Sequence, residues 1–337
     1  MNNLVKIIAA IVILGALGFF FYTKSKDKES VVSSIGAISN LNGEASDSTT
    51  EKGLDPNNYV NIPREQLYDG SQASNEILAE LKERYKTDFE KLVKGIKSTG
   101  AKVVFCWITA EPDVSMNKIG KPFIQNLCAQ NGVDFVDFVP SIANKKDITF
   151  APVDGHFNQN GAKILADQMA QMIRKYDNVK ATATYDNRPE LLGDFKPSQN
   201  TILDGGKNLP YKLVTNKQGL RMDHDLTFPK QKQRILLIGD SMFEFPFLDN
   251  AKTGSGLLQT LFPNKEVLNS AKLGYSIDDY LSLWEDRAKY TEPDIIFLQS
   301  SGDDISDLFF SHRLRYSRTA EKIKPSAKEA EYYKTLN

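Results

Sequence analysis

The 337-residue sequence has little of the chemistry that builds disulfide scaffolds or zinc sites. It holds two cysteines, Cys106 and Cys128, and three histidines, His156, His224 and His312. Two cysteines exclude a multi-disulfide framework and a multi-cysteine zinc module, and so few histidines argue against a histidine-rich metal centre. We therefore expect neither a metal ion nor another cofactor in the functional site.

The chain also lacks a basic excess. Lys and Arg total 42 and Asp and Glu total 43, which leaves a formal net charge of −1. A protein that coats nucleic acid needs surplus cations to neutralise phosphates, so we expect no nucleic-acid partner. Hydrophobic residues make up 41% and charged residues 25%, which is ordinary globular composition, and the length predicts about two domains.

One long apolar run lies at the N-terminus. Residues 7–22 carry no charge, and the span extends back to Leu4 because the side chain of Lys6 can reach the membrane interface. As a helix, residues 4–22 cover about 28 Å, close to the roughly 30 Å hydrocarbon core of a bilayer. We predict an uncleaved transmembrane anchor. A cleaved signal peptide is the alternative, although no small-x-small cleavage site follows the run.

The segment after this span is polar. Residues 23–73 are rich in Ser, Thr, Asn, Gly and Asp and lack a sustained period, which predicts a flexible tether. Three lysines follow the span, Lys24, Lys26 and Lys28, and only Lys6 precedes it. Positive-inside counting therefore does not favour a C-terminal domain outside the cytoplasm.

Two blocks of alternating helices and strands follow, separated by a polar linker at 179–204. The first block, residues 74–178, is predicted to contain a helix from Ser74 to Gly100, a strand at 102–108, a helix that ends at Gly132, a strand at 133–138 and a helix at 162–176. The second, residues 205–337, is predicted to contain strands at 234–238, 266–268 and 294–298 and helices that end near 262 and 288. Such alternation indicates a parallel sheet covered on both faces. Two strands and three strands together make five, an ordinary sheet size.

Two short motifs offer the parts of a nucleophilic site. The strand RILLI runs directly into Gly239-Asp240-Ser241, so this serine follows the carboxyl end of a parallel strand, where α/β folds bind ligands. The other motif contains Asp154 and His156 on a loop. A serine hydroxyl needs a base, and an imidazole needs a carboxylate to fix its tautomer, so we predict Ser241 as nucleophile, His156 as base and Asp154 as its orienting group. A surface histidine on a loop is the alternative for His156 alone.

Together the motifs resemble those of the SGNH, or GDSL, hydrolase family. Gly239-Asp240-Ser241 is similar to the first family block, Gly274 to the second, Ser301-Gly302-Asp303-Asp304 to the Gly-x-Asn-Asp block, and Asp154 with His156 to the last. The segment DGHFNQNG at 154–161 and the segment TNKQGLR at 215–221 also resemble features of members that act on envelope polysaccharides. The resemblance covers residues 74–178 and 205–337.

The resemblance implies a flavodoxin-like three-layer α/β/α sandwich and an acyl-transfer activity. Its members are esterases, lipases and carbohydrate acylesterases or O-acyltransferases. It implies that the oxyanion is held by the backbone N–H groups of Ser241 and Gly274, with Asp303 as a third group. It further implies an acyl-ester or carbohydrate substrate, a domain outside the cytoplasm in the periplasm or at the cell surface, and envelope assembly partners.

The chain departs from the family pattern in three ways. The serine block follows the histidine block, which predicts a circular permutation; two incomplete domains, or halves completed by another copy, are the alternative. Asp303 stands where the family has an oxyanion-binding asparagine, and an ionised carboxylate would repel the developing charge unless it is protonated or points elsewhere. The spacing between Asp154 and His156 is one residue shorter than usual.

We therefore expect a membrane-tethered serine acyl hydrolase or acyltransferase, acting on acyl, specifically acetyl, esters of carbohydrate. The alternative is a non-catalytic SGNH-like module that binds glycan or serves envelope assembly, which the aspartate at position 303 favours. A plain structural protein would leave the serine, glycine and Asp-His motifs unexplained.

Overall fold

The computed structural model describes Tyr68, Gly70 and residues 72–109, 113–203 and 207–308. The predicted anchor at 4–22, almost all of the predicted tether, and His312 lie outside the described residues. Within these ranges, no helix combines the length and apolar character that crossing a membrane requires.

The described elements alternate between helix and strand along most of the chain. The helices are α1 (Gln72–Lys97), α2 (Ser115–Gln130), α3 (Val139–Ile142), α4 (Gln159–Lys175), α5 (Ser241–Glu244), α6 (Gly254–Leu261) and α7 (Ile277–Asp286). The strands are β1 (Lys102–Trp107), β2 (Asp134–Asp137), β3 (Asn200–Leu203), β4 (Tyr211–Val214), β5 (Arg234–Ile238), β6 (Glu266–Asn269) and β7 (Ile295–Ser300). Short 3₁₀ helices occupy Asn250–Lys252 and Ala288–Thr291.

Five of these strands form one sheet in the order β2-β1-β7-β5-β6, and every neighbouring pair is parallel. This confirms the predicted five-stranded parallel sheet, with two strands from the first block and three from the second. The blocks meet where β1 pairs with β7, from Lys102 opposite Ile295 to Trp107 opposite Ser300. If the strands are counted from β5 and continued through β7 to β1, the order is 2-1-3-4-5, which is the flavodoxin-like order.

Helices cover both faces of this sheet. Side chains of α1, α2 and α7 pack on one face, where Phe89, Ile124 and Trp284 belong to one buried cluster. Side chains of α4 and α6 pack on the other, where Met169 and Leu258 belong to a second cluster. Because both faces are covered, the strands β1, β5 and β7 consist almost entirely of buried residues, as their continuous apolar runs predict.

A second, antiparallel sheet of two strands lies outside the predicted pattern. It pairs β3 with β4, and β3 falls within residues 179–204, the predicted linker. The same segment also carries the buried side chains of Leu192 and Phe195. Each strand has only four residues, which is too short for a sustained alternation of polar and apolar residues to predict a hairpin. In addition, Ile202 is 73% exposed, although an apolar residue in a strand is expected to face the core.

A buried arginine connects the amino-terminal ends of three strands of the main sheet, at the edge opposite Ser241. Arg234 is fully buried, and its guanidinium donates to Glu266 Oε2 at 2.6 Å and to the carbonyls of Thr291 and Thr227 at 2.9 and 2.6 Å. Its backbone N–H donates to the carboxylate of Asp294 at 2.8 Å. These bonds connect β5 to the start of β6 and to the turn before β7.

Replacing this guanidinium should destabilise the sheet. We expect Arg234→Met to lower the free energy of unfolding by about 3 kcal/mol, because the substitution leaves the carboxylate of Glu266 buried without its cation. Urea unfolding followed by the fluorescence of the two tryptophans, both buried, measures this loss. As a control, Arg174→Met on the exposed side of α4 should cost about 0.5 kcal/mol or less. Equal stability of the two variants would contradict the role given to Arg234.

Candidate active site

Ser241 follows the carboxyl end of strand β5, between β7 and β6 in the sheet, and is the first residue of α5. The side chain of Asp240 caps this short helix by accepting a hydrogen bond from the N–H of Met242 at 2.6 Å. Gly239 is required by close packing, because a Cβ there would lie 2.5 Å from Oε1 of Gln299. That oxygen accepts the N–H of Asp240 at 2.9 Å. The turn therefore presents a partly exposed Ser241 from a fixed backbone.

Asp154 and His156 form a directly bonded pair. Asp154 Oδ1 lies 2.5 Å from His156 Nδ1 and accepts the His156 backbone N–H at 2.8 Å, and its Oδ2 accepts Lys207 Nζ at 2.7 Å. The Asp154 side chain is 7% exposed and that of His156 is 24% exposed. Burial opposes ionisation of Asp154, but the hydrogen bonds from Lys207 and His156 outweigh it and lower its pKa. An ionised Asp154 on Nδ1 leaves Nε2 as the nitrogen that can accept a proton.

The residues after His156 hold this loop in place. Asn158 caps α4 by accepting the N–H groups of Asn160 and Gly161 at 2.8 and 3.3 Å, and its amide donates to the carbonyl of Thr149 at 2.9 Å. A Cβ on Gly161 would lie 2.3 Å from the carbonyl oxygen of Ile148. The asparagine and glycine of the DGHFNQNG segment are therefore explained by the anchoring of the loop that carries His156.

The Asp154–His156 pair packs beside the chain segment that starts at Ser241 and includes Phe247. Phe247 follows α5, and its ring centroid lies 6.1 Å from that of His156 and 5.9 Å from that of Phe150. A cleft of about 390 Å³ opens here. Its lining includes the rings of Phe150 and Phe247 and the side chains of Asn158, Gln159, Asn160, Pro210, Asp249 and Lys252.

Arg221 fixes the chain after Ser241, a role that the sequence motif alone did not reveal. The side chain is 2% exposed and donates to the carbonyls of Glu244, Phe245 and Leu248 and to Asn250 Oδ1, at 3.0 Å for Phe245 and 3.1 Å for Asn250. Phe245 and Phe247 have positive φ angles of 56° and 65°, which bulky residues rarely adopt. The arginine thus holds a turn that the local sequence disfavours. In the same TNKQGLR segment, Asn216 Oδ1 accepts the N–H of Leu220 at 2.9 Å.

Gly274 follows β6 in a loop that is fastened beside the serine turn. It has a φ of 76°, which glycine adopts without strain. The N–H of Lys272 donates to the carbonyl of Gly239 at 2.9 Å, and the N–H of Leu273 donates to the carboxylate of Glu244. These bonds bring the Gly274 loop to the segment of Ser241. An oxyanion-binding role for the N–H of Gly274 stays a prediction.

A cluster of three carboxylates lies at the same edge of the sheet. Asp240, Asp303 and Asp304 each offer an oxygen within 4.8 Å of the others. Asp304 accepts the N–H of Ser301 at 2.7 Å and the hydroxyl of Tyr280 at 2.9 Å, and Ser301 Oγ donates to Asp303. Burial raises the pKa of Asp304 well above its usual value, and the charges of Asp240 and Asp303 raise it further.

Three carboxylates are also the donor type that a hard divalent cation prefers. Hydrogen bonds already engage both oxygens of Asp304. Its raised pKa favours a proton held within the cluster. These hydrogen bonds and the raised pKa favour a protonated Asp304 over a cation at this cluster.

The second histidine in the described residues lies away from these groups. His224 is exposed and its Nδ1 lies 2.8 Å from Asp223 Oδ1, which matches the surface position that its sequence context predicts.

No protein-family model and no curated protein match this sequence. Two solved structures are similar to the chain at low identity. The O-acetyltransferase domain of Pseudomonas putida AlgJ has 13% identity and a TM-score of 0.43, over 76% of this chain and 94% of that one. Pseudomonas aeruginosa AlgX has 15% identity and a TM-score of 0.40, over 64% of this chain and 54% of that one. Both TM-scores are below 0.5, and neither similarity assigns a function to this chain.

The role of Arg221 can be tested with a substitution that keeps its charge. We expect Arg221→Lys to lower the free energy of unfolding by about 2 kcal/mol, because an ammonium cannot satisfy the carbonyls that the guanidinium fork reaches. Urea unfolding is the measurement. Arg174→Lys makes the same chemical change on the surface of α4 and should leave stability unchanged. Equal stability of Arg221→Lys and wild type would show that the turn after Ser241 does not need the Arg221 guanidinium.

Proposed function

We propose that the chain is an SGNH-type serine acyl hydrolase or acyltransferase with Ser241, His156 and Asp154 as its catalytic residues. The observation that carries this proposal is the bonded Asp154–His156 pair, which packs through Phe247 against the segment that Ser241 begins. A carboxylate that fixes Nδ1, an imidazole and a serine at a strand end are the parts that this chemistry needs.

In the proposed reaction, Ser241 Oγ attacks the acyl carbonyl carbon while His156 Nε2 takes the hydroxyl proton. The N–H groups of Ser241 and Gly274 donate to the oxyanion that forms. The C–O bond to the alcohol breaks, His156 returns its proton to the leaving oxygen, and the acyl group stays on Ser241. A water or a second hydroxyl then loses its proton to His156 and attacks the acyl-enzyme, and Ser241 recovers its proton. Water as acceptor gives an esterase, and a sugar hydroxyl gives an acyltransferase.

The motif order fits this proposal through a circular permutation. The strand order read from β5 is flavodoxin-like, and that order places the serine on the first strand of the unpermuted count. The histidine loop follows the fifth strand of that count, β2, in the chain. We propose that this joining of the two blocks places the base and the nucleophile in one site within one chain.

We propose acetyl esters of carbohydrate as the substrate class. The cleft beside His156 supports this, because the rings of Phe150 and Phe247 can pack on the C–H face of a sugar ring while Gln159 offers its amide to a hydroxyl. An anchor at 4–22 with the domain outside the cytoplasm, and assembly partners in the envelope, remain part of the proposal.

A non-catalytic glycan-binding or assembly module is the second candidate, and Asp303 favours it. In the position of the family asparagine, this side chain accepts the hydroxyl of Ser301, so it behaves as an acceptor and not as an amide donor. Such a module would retain the cleft without turning over a substrate.

A fluorophosphonate probe separates the two candidates. We expect the wild-type chain to be labelled and to hydrolyse an aryl acetate, because an activated serine attacks both, and we expect Ser241→Ala to do neither. Mass spectrometry of the labelled peptide identifies the residue.

Asp154→Asn should lower kcat by about 10³-fold or more, because the imidazole loses the carboxylate that fixes its tautomer.

Ser98→Ala, an exposed serine at the end of α1, is the matched control and should label like wild type. Labelling of wild type no better than Ser241→Ala, together with no turnover of aryl acetate, would reject the enzyme and favour the binding module. Addition of sugar acceptors then distinguishes the two reactions, since only an acyltransferase forms an acylated sugar.

Asp303 gives a separate prediction. We expect Asp303→Asn to raise kcat by about 10-fold, because an amide donor replaces a carboxylate where negative charge develops, and one such donor can matter that much. Steady-state hydrolysis of aryl acetate measures the change, and Asp167→Asn on the exposed face of α4 is the control. A loss of activity in Asp303→Asn would mean that the carboxylate itself contributes to the reaction.

A further inference from the structure

We propose that Lys207 is a positioning residue that holds the carboxylate of Asp154 in the orientation in which its Oδ1 meets Nδ1 of His156. The inference deepens the proposed function and rests on it. It also gives the β3–β4 hairpin a role in the site, because Lys207 lies in the connection between these two strands.

The contacts of Asp154 divide between its two oxygens. Oδ1 is used by His156, through both the ring Nδ1 at 2.5 Å and the backbone N–H at 2.8 Å. Oδ2 is used by Lys207 Nζ at 2.7 Å. A carboxylate that is held at one oxygen alone can rotate about its Cβ–Cγ bond. The ammonium on Oδ2 therefore fixes the plane in which Oδ1 meets the imidazole.

Strand β4, which follows Lys207 in the chain, is anchored to the segment after Ser241. The N–H of Lys212 donates to Asp249 Oδ1 at 2.8 Å, and Asn250 Nδ2 donates to the carbonyl of Val214 at 2.7 Å. The Tyr211 ring lies 6.1 Å from that of Phe247. The hairpin thus contacts the segment that follows Ser241 through β4, and it contacts Asp154 through Lys207.

The expected effect is moderate because the cation is partly solvated. The Lys207 side chain is 47% exposed, whereas that of Asp154 is 7% exposed. Water can replace some of the stabilisation that the ammonium gives, but it cannot fix the carboxylate in one orientation. Loss of the ion pair should therefore affect the geometry of catalysis more than the stability of the fold.

The test compares Lys207→Met with Lys207→Arg and with Lys163→Met in the full chain. Lys163 pairs with Asp167 at 2.7 Å on the surface of α4 and offers a matched ion pair away from the site. With aryl acetate as substrate, we expect kcat of Lys207→Met to fall about 10-fold with KM unchanged, as loss of one charged hydrogen bond predicts. Lys207→Arg should restore most of kcat, and Lys163→Met should match wild type.

A double-substitution cycle shows whether Lys207 acts through Asp154. In the Asp154→Asn background, Lys207→Met should cause no further loss, because the carboxylate that it positions is gone. A kcat of Lys207→Met equal to that of wild type would overturn the proposal. So would a loss that persists in full in the Asp154→Asn background.

A spectroscopic measurement keeps this inference separate from the proposed activity. In histidine-labelled full chain, the Nδ1–H proton of His156 should give a downfield signal that Lys207→Met shifts or broadens and Lys163→Met leaves in place. If wild type turns over no ester, the activity proposal fails while this measurement still decides the role of Lys207. An identical His156 signal in Lys207→Met and wild type would reject it.

Discussion

The pairing of β1 with β7 is the constraint on which the rest of the architecture depends. It runs the full length of both strands, and the N–H of Lys102 and of Ile108 extend it at either end, to the carbonyls of Asp294 and Ser300. Because the strands are parallel, this single pairing aligns the carboxyl ends of strands from two distant blocks at one edge of the sheet. His156 and Ser241, the proposed base and nucleophile, therefore both follow strands of this one sheet without being neighbours in sequence.

Buried polar side chains convert this rough alignment into a defined geometry. Loops at strand ends are mobile unless their backbone groups find partners, and here a small number of residues supply several bonds each. Arg221 holds the turn after Ser241, Asn158 holds the loop after His156, and Gln299 holds the turn before Ser241. Gln299 lies in β7 and Asn158 caps α4, so these two side chains connect loop backbone to a strand and to a helix. The positions of these loops therefore depend on these polar side chains.

The sequence predicted the elements whose signal is local and strong. The continuous apolar runs of β1, β5 and β7 indicated buried parallel strands, and the glycine and asparagine spacing around Asp154 and Ser241 indicated where the functional loops lie. The β3–β4 hairpin escaped prediction because its strands are short and Ile202 points a large apolar side chain to solvent. The roles of Arg221 and Lys207 escaped it for another reason. Both act on partners far along the chain, and a lysine in a polar loop has the same sequence appearance whether it is solvated or paired.

Opposite electrostatic environments surround the residues on either side of Ser241. On the side of His156, the hydrogen bonds of Asp154 with Lys207 and His156 lower its pKa, which suits the orienting role that we propose for it. On the side of β7, burial and the charges of Asp240 and Asp303 raise the pKa of Asp304, so that cluster tends to hold a proton. Carboxylates whose environments push their pKa values apart take different roles in one site. Asp303 is part of this cluster, because its charge is one of those that raise the pKa of Asp304.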